Sequence, residues 1–386
     1  MKKTLIALAL TTLPVAAMAE VVLYGQMKAG YEVSSSKTSG SKTSGSDRSP
    51  YENGVADYGS RIGFKGYETL PNTDGLKAIW QVESAISLGN AQGDANGWAN
   101  RDSFIGLQSD KLGTIRAGRL SNQMNANMDT VDTWEYNNEA LGLGKFTRTD
   151  ARYVGIGYDS PTWAGFNFNV LYSPRDNVNN GSRASEYANN IGTGEKYSVG
   201  LNYENSGFFV KYGFDYLKNS GFEIAQETED SYYGYFKDGQ VHRLEGGYDA
   251  NNLFVALGYQ NAKNVRTHNN LVNEASDWIL HGKVGEHEVV LNNESQEAAL
   301  TVGYHFGNIF PKLSYAHGWN VKINGEKLGN TKYDQIVLGA DYDFSKRTTA
   351  NVQAGWLREG NGQNINGESL GKTKTTAFGV GLKHTF

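Results

Sequence analysis

The sequence contains no cysteine and only 6 prolines in 386 residues. Without cysteine the chain has no disulfide framework, so small cross-linked scaffolds are excluded and the fold must be held together by its own pairing. Beyond the N-terminal leader there is also no run of about 18 apolar residues, which excludes a membrane-spanning helix. Such a chain can cross a membrane only as a closed β-barrel, because lipid offers no hydrogen-bond partner to the free edge of a sheet.

The N-terminus has the features of an export signal. Two lysines precede an apolar run over residues 5–17, and an Ala-Met-Ala cleavage site ends at Ala19. We therefore expect a signal peptide over residues 1–19 and a single domain over residues 20–386. Removal of the two leader lysines from the 36 basic residues, against 41 acidic ones, leaves a formal charge of about −7. A chain of this charge is not expected to bind nucleic acid.

Glycine (47 residues) and tyrosine (23 residues) are abundant, which suits many strands joined by turns. Val21 to Val33 alternates between apolar and polar residues, the pattern of a strand with one apolar and one polar face. The same alternation recurs at residues 61–65, 76–83, 166–172, 197–203, 253–259 and 300–306. Aromatic residues lie at the strand ends, as in the two interfacial girdles of a membrane barrel.

The connections alternate between short turns and long polar loops, which is typical of outer-membrane barrels. The pattern predicts an all-β fold, a transmembrane antiparallel up-and-down barrel of about sixteen strands with short periplasmic turns and long extracellular loops. The Ser/Thr/Lys-rich residues 34–49 are expected to form one of these external loops. Residues 264–296 leave an alternative open: segments 278–280 and 289–291 could form an extra hairpin, and an eighteen-stranded barrel would include it in the wall.

The last segment, residues 375–386, carries Phe378, Val380, Leu382 and Phe386 on one face and ends on that last phenylalanine. It is predicted to close the barrel by pairing with Val21 to Val33. A terminal aromatic after an alternating strand is unusual in soluble proteins, so Phe386 is interpreted as a signal for the barrel-assembly machinery.

Several motifs spread over the whole chain resemble one known family. They are Leu23-Tyr24-Gly25, residues 59–66 (GSRIGFKG), residues 101–107 (RDSFIGL), residues 158–161 (YDSP), residues 314–318 (SYAHG), residues 333–347 (YDQIVLGADYDFSKR) and residues 354–357 (AGWL). In these segments the chain is similar to the neisserial and β-proteobacterial porins.

The resemblance implies a sixteen-stranded homotrimeric porin whose third extracellular loop folds into the barrel and narrows it to a charged eyelet. Here that loop corresponds to residues 121–149. Family eyelets place acidic loop residues opposite a basic arc on the wall. The acidic candidates are Asp129, Asp132, Glu135 and Glu139; the basic candidates are Lys28, Arg61, Lys65, Arg101, Arg116 and Arg152.

These assignments rest on different grounds. Alternation alone directs Lys28, Arg61, Lys65 and Arg116 into the lumen, because their neighbours along each strand are apolar. Arg101 is carried over from the family motif, with Phe104 expected to face outward. Arg152 departs from the pattern, since it shares the parity of Val154 and Ile156, which should face lipid; it is expected to lie beyond the strand or to be redirected by a bulge.

The predicted function is that of a general diffusion porin in the outer membrane of a Gram-negative bacterium, a water-filled channel for passive transport of ions and small hydrophilic solutes. Expected partners are two further copies of the chain, outer-membrane lipid and lipopolysaccharide, and the assembly machinery. No cofactor, metal or catalytic residue is expected. An outer-membrane hydrolase and an adhesin or anchor barrel remain as alternatives.

Two motifs could indicate a function other than that of a channel. Residues 367–371 (GESLG) match the G-x-S-x-G elbow of hydrolases, but that motif needs a strand-to-helix turn and a downstream acid and histidine, and only His384 follows. His281 and His287 with two adjacent glutamates match no strong metal-ligand spacing. Both segments are interpreted as polar loops.

Overall fold

The main sheet of the computed structural model is a closed antiparallel barrel of 16 strands. The structure describes residues 20–41, 47–48, 51–89, 97–175, 194–218, 221–223, 233–236, 238–269, 289–363 and 367–386. The predicted signal peptide, His281 and His287 lie outside the described residues.

Each wall strand pairs with its neighbours in sequence. In chain order they are β1 (Glu20–Ser41), β2 (two segments, Glu52–Asp57 and Arg61–Thr69), β3 (Lys77–Ala85), β4 (Ser103–Ser109), β5 (Gly113–Ser121), β6 (Arg152–Asp159), β7 (Phe166–Ser173), β8 (Lys196–Asn205), β9 (Phe208–Leu217), β10 (Gly239–Ala250), β11 (Leu253–Lys263), β12 (Asn293–Tyr304), β13 (Ile309–Gly318), β14 (Tyr333–Ser345), β15 (Thr348–Gly360) and β16 (Leu370–Thr385).

The barrel has apolar side chains on its outer face and polar side chains on its inner face, the reverse of a soluble β-sandwich. Along β11, Leu257 lies on the outer face and is 57% exposed. Gln260, three residues later, lies on the inner face and is fully buried. Many outward residues of the other strands are likewise large and apolar. This is the pattern of a barrel whose outer face meets lipid and whose inner face is polar.

The first and last strands close the barrel. β1 pairs with β16 from Gln26↔Thr385 to Ser41↔Leu370. The wall therefore has no unpaired edge, the condition for a sheet to lie in lipid. The strand β1 is longer than expected: it continues to Ser41, so the expectation of a loop from residue 34 is wrong for its first part. Cross-strand hydroxyl pairs such as Ser36 with Thr375 (2.8 Å) extend the ladder through this Ser/Thr-rich segment.

The short turns are built from residues that tolerate a left-handed backbone. Ser206 and Gly207 between β8 and β9 have φ of 53° and 84°, and Asn251 and Asn252 between β10 and β11 have φ of 51° and 65°. Two consecutive positive φ values form a two-residue hairpin turn whose twist matches that of the strands. The tight turns at one end of the barrel follow from these local sequences.

The extra hairpin considered for residues 264–296 does not enter the wall. Val289–Leu291 pairs in parallel with Tyr233–Phe236, which also pairs with Gly221–Glu223, and these three segments form a separate small sheet. Residues 278–280 lie outside the described residues. The eighteen-stranded alternative is therefore wrong.

The connection between β5 and β6 carries short helices. They are α1 (Gln123–Asn127), a 3₁₀ turn (Glu139–Leu141) and α2 (Gly144–Thr147). Asn122 caps α1 by accepting a hydrogen bond from the backbone N–H of Asn125 (3.0 Å). Among the described residues, no helix has the length and hydropathy needed to cross a membrane.

Candidate functional site

The segment between β5 and β6 lies against the inner wall of the barrel. Its apolar side chains, with Leu141, Leu143 and Phe146 fully buried, form the largest hydrophobic cluster of the described residues together with inward residues of the wall. Two wall glycines permit this approach. A Cβ at Gly355 would lie 1.8 Å from the carbonyl oxygen of Ala140, and one at Gly258 would lie 2.6 Å from the Phe146 ring.

Polar wall side chains fix the segment along β12 to β15. The Trp134 indole donates to the Ser314 hydroxyl on β13 (2.8 Å). Gln335 on β14 donates to the carbonyls of Glu139 (2.7 Å) and Gly142 (2.6 Å). Each bond satisfies a polar group that the segment would otherwise bury against the wall without a partner.

Charged and amide side chains anchor both ends of the segment on β8 to β12. Asn122 donates to Asp215 on β9 (2.8 Å), and the backbone N–H of Thr130 donates to Glu245 on β10 (3.1 Å). At the far end, Arg243 pairs with Asp150 (2.9 Å). The neighbouring Arg148 pairs with the fully buried Glu297 on β12 (2.9 Å).

The segment consequently divides the inner face of the barrel. Its contacts reach β7 to β16 and β1, while among the described residues no hydrogen bond or ion pair of residues 128–150 reaches β2 to β5. The open space of the barrel therefore lies between this segment and the inner face of β2 to β5.

Two of the six predicted basic residues meet at one carboxylate on that face. Arg101 pairs with Glu83 at 2.5 Å and Arg61 pairs with the same residue at 3.7 Å. The Tyr24 hydroxyl also donates to Glu83 (3.0 Å), and the ammonium of Lys65 lies 5.1 Å from the Tyr24 ring centre. Glu83 is 9% exposed and Arg61 is 35% exposed, so the arginine and not the carboxylate faces the water.

Two others lie along β5 and β6 with carboxylate partners of their own. Arg116 pairs with Asp159 (2.6 Å) and lies over the Phe104 ring. The outward expectation for Phe104 is wrong: Ile105, the next residue, is strongly exposed on the outer face, so Phe104 faces inward. Arg152 opens β6 and pairs with Asp102 (3.0 Å).

Another basic candidate, Lys28, is bound to the inner segment instead of facing it across the lumen. Its ammonium lies 2.6 Å from Glu135, which also pairs with Lys383 on β16 (2.9 Å). Burial opposes ionisation of Glu135, but the two ammonium groups outweigh it and hold the pKa of Glu135 below its usual value. Lys383 was missed by the sequence prediction although alternation with Val380 and Leu382 places it on the inner face.

The four acidic candidates do not form one cluster. Asp132 accepts hydrogen bonds from the Tyr136 hydroxyl (2.8 Å) and the backbone N–H of Leu143 (3.1 Å), so it stabilises the segment internally. Burial, reinforced by the charge of Asp129, raises the pKa of Asp132 to about 7. Asp129 is exposed. Glu139 is half-exposed and pairs with the buried Lys145 (3.1 Å).

The charged groups that hold the segment in place were also missed. They are Lys145, Arg148, Arg243, Glu245 and Glu297. Glu83, which binds the two wall arginines, was missed as well. For the charged residues that lie on strands, the alternation of the strand predicts an inward side chain. The sequence does not predict which inward residues contact the segment, because the contacting residues are distant along the chain.

The chain matches the family model described as Gram-negative porin over residues 23–386. It is 44% identical to the major outer membrane protein P.IB of Neisseria sicca, with 100% of both chains covered. The barrel is similar to that of the anion-selective porin from Comamonas acidovorans, with a TM-score of 0.63 and 19% identity over 95% of this chain and 100% of that one. It is also similar to the trimer form of Vibrio cholerae OmpT, with a TM-score of 0.60 and 15% identity over 95% and 99% of the two chains.

A closed sixteen-stranded barrel with an apolar outer face, a polar interior and an inward-folded segment accounts for these likenesses in physical terms. The chain belongs to the Gram-negative porin family, and it is an outer-membrane general diffusion porin that forms a water-filled channel for ions and small hydrophilic solutes.

Proposed function

We propose that residues 121–149 are the constriction loop of this porin and that solutes are selected in the gap between the loop and the inner face of β2 to β5. The observation that carries the proposal is the one-sided attachment of the loop. Its polar contacts reach β7 to β16 and β1, whereas in the described part of the chain residues 128–150 form no hydrogen bond or ion pair with β2 to β5. A passing solute then meets the loop on one side and a basic wall on the other.

Charge separation across this gap supports a selective role. The wall carries Arg61, Lys65, Arg101, Arg116 and Arg152, and Arg61 extends toward the lumen over its buried partner Glu83. The loop contributes the exposed carboxylate of Asp129. Opposite charges on two sides of a narrow aqueous gap generate a transverse field that orients water and polar solutes. The field is strongest where the wall excludes counter-ions.

Shortening the loop tests whether it narrows the pore. Deletion of Thr130 to Ala140 is expected to raise single-channel conductance in planar bilayers and to raise the size limit for sugars in liposome swelling. The matched control is a deletion of equal length over residues 178–188, in another predicted extracellular loop, which should leave both values unchanged. Unchanged conductance and size limit in the first variant would refute the constriction.

The assembly that the proposal favours is a homotrimer in which each barrel is a separate channel. The full-length likeness to porins, one of them solved in a trimer form, supports it. Light scattering on the detergent-solubilised protein should give three chains per particle, and a monomeric mass would contradict the proposal.

Transport is proposed to be passive, with no chemistry on the solute. Ser369, in the one hydrolase-like motif, accepts hydrogen bonds from Asn330 and from the backbone of Gly371 at the extracellular start of β16. His384 lies at the other end of the same strand, about 50 Å away at about 3.3 Å per residue, and is bonded to Thr348. This separation gives no support to a Ser/His pair. Ester hydrolysis by the purified protein would contradict the proposal.

A further inference from the structure

The chain that follows β11 folds against the wall at the end of the barrel that carries the long loops. We call residues 264–269 the inner strap. Within it Thr267, His268 and Asn269 are buried. The Asn269 amide donates to the backbone carbonyl of Gly360 at the end of β15 (2.8 Å). The inner strap is therefore packed into the barrel mouth, although it belongs to a long connection between two wall strands.

His268 is hydrogen-bonded through both nitrogens of its ring. Nδ1 lies 2.7 Å from a carboxylate oxygen of Glu297 on β12, and Nε2 lies 3.0 Å from the backbone carbonyl oxygen of Thr331, just before β14. An ionised carboxylate and a carbonyl can only accept hydrogen bonds, so both ring nitrogens must donate. A histidine ring with two N–H groups is the imidazolium cation. The geometry therefore requires a positive charge on this buried ring.

The groups that face the ring are arranged for such a charge. Glu297 is fully buried, and its other carboxylate oxygen accepts from Arg148 (2.9 Å) and from Gln260 (3.0 Å). The arginine keeps this carboxylate ionised, and the two cations share it from opposite oxygens. On a further side the Tyr333 ring lies edge-on to His268, with 5.2 Å between the ring centres. Water is excluded from the contact because all of these side chains except Arg148 are nearly or fully buried.

The inner strap is bound to the C-terminal part of residues 121–149 at two points. The Arg148 guanidinium, which pairs with Glu297, also donates to the backbone carbonyl of Arg266 (3.1 Å). The Lys145 ammonium donates to the backbone carbonyl of His268 (3.4 Å). The charge of Lys145 is balanced by two further carboxylates, those of Glu139 and Glu359 (3.1 Å each). Movement of the strap would therefore displace both cations that fix this part of the loop.

Given the constriction proposed above, we propose that His268 is a positioning residue of the pore: as an imidazolium it ties the inner strap to β12 and β14, and the strap holds the end of the constriction loop. Histidine is the side chain that changes its charge near neutral pH. A neutral ring donates through one nitrogen only, and the bond to the Glu297 carboxylate is the stronger because it is charge-assisted. As pH rises, the ring consequently loses its bond to Thr331, and the strap and the loop end loosen.

Open-channel current noise in planar bilayers tests this role, because a loosened loop end makes the width of the gap fluctuate. In the wild type the noise is expected to increase several-fold when the pH is raised from about 5 to about 9. His268→Gln keeps a donor for Glu297 but does not ionise, so it should show the high noise at both pH values. His317→Gln is the matched control, since His317 also pairs with a carboxylate, Asp334 (2.7 Å), but lies on the outer face; it should behave as the wild type.

A second measurement depends neither on the pore nor on the folding of a variant. In the wild-type barrel with ¹⁵N-labelled histidine, both ring N–H groups of His268, assigned through their proximity to the Tyr333 ring, should give slowly exchanging signals at about pH 6. An N–H group of this ring in rapid exchange with water would overturn the proposal. An increase of noise with pH in His268→Gln as large as that of the wild type would also overturn it. The deletion of Thr130 to Ala140 tests the constriction at a single pH, so a failure of the constriction is distinguished from a failure of the strap.

Discussion

Phe386 and Gly25 form two backbone hydrogen bonds with each other, each of 3.1 Å, so the last residue of the chain completes the seam between β16 and β1. The phenylalanine ring covers Gly25 on the outer face: a Cβ at Gly25 would lie 2.7 Å from the ring. Any larger residue at position 25 would displace the ring or the backbone of the seam.

The first prediction concerns this seam. Deleting Phe386 removes both hydrogen bonds and the ring at the closing point, and we expect the yield of folded, heat-modifiable barrel to decrease several-fold. Replacing Phe386 with tyrosine keeps the aromatic ring and the backbone bonds and should restore most of the yield. Unchanged yield after the deletion would show that the terminal residue is not needed for assembly.

A second prediction uses the close approach of the constriction loop to the wall. Gly355→Ala places a methyl group where the carbonyl of Ala140 lies, so the loop must shift; overpacking of this kind costs about 1 to 3 kcal/mol. Single-channel conductance should change while the barrel remains folded. Gly54→Ala is the matched control because nothing lies within 4 Å of its Cβ position. Equal conductance for the two variants would place the loop elsewhere.

A third prediction follows from Asp132, whose pKa is raised from 3.8 to about 7 by burial and by the nearby charge of Asp129. The unfolded chain releases this proton near pH 3.8 and the folded chain retains it up to about pH 7. Folding therefore takes up a proton between these values, and the contribution of this group to stability decreases as pH rises through that window.

Asp132→Asn keeps an oxygen that can accept the bond from Tyr136 but removes the ionisation. The difference in thermal midpoint between the variant and the wild type should consequently grow in favour of the variant from pH 4 to pH 8. Asp110→Asn, in a short exposed turn, is the control. A difference for Asp132→Asn that does not depend on pH would contradict the raised pKa.

The sequence predicted the side-chain directions on the barrel wall better than the contacts of the loop inside the barrel. A period of two is local, so it places Arg61, Lys65 and Arg116 on the inner face from their immediate neighbours alone. The prediction for Phe104 was wrong because its direction was inferred from that of Arg101. Arg101 precedes the first residue of β4 and does not follow the alternation of that strand.

The contacts of the constriction loop could not be predicted from local alternation. Asp132 and Glu135 are three residues apart in one loop, yet one stabilises the loop from within and the other binds two wall lysines. The role of Glu135 depends on wall lysines more than 100 residues away along the chain, and no local pattern encodes which carboxylate faces which strand. The family resemblance gave the inward fold of the loop but not these partners.

Reversal potential across a salt gradient tests the central claim most directly, because it reports the charges at the narrowest part of the pore. Removing both cations in Arg61→Gln, Arg101→Gln leaves the carboxylate of Glu83 uncompensated at the gap, and selectivity should move toward cations. Asp129→Asn should move it toward anions. Lys111→Gln, in an exposed turn where the charge is screened within about 8 to 10 Å, should leave the potential unchanged. Opposite shifts for the first two variants are the result we predict; no shift in either, or shifts of the same sign, would contradict a selective gap between the loop and the basic wall.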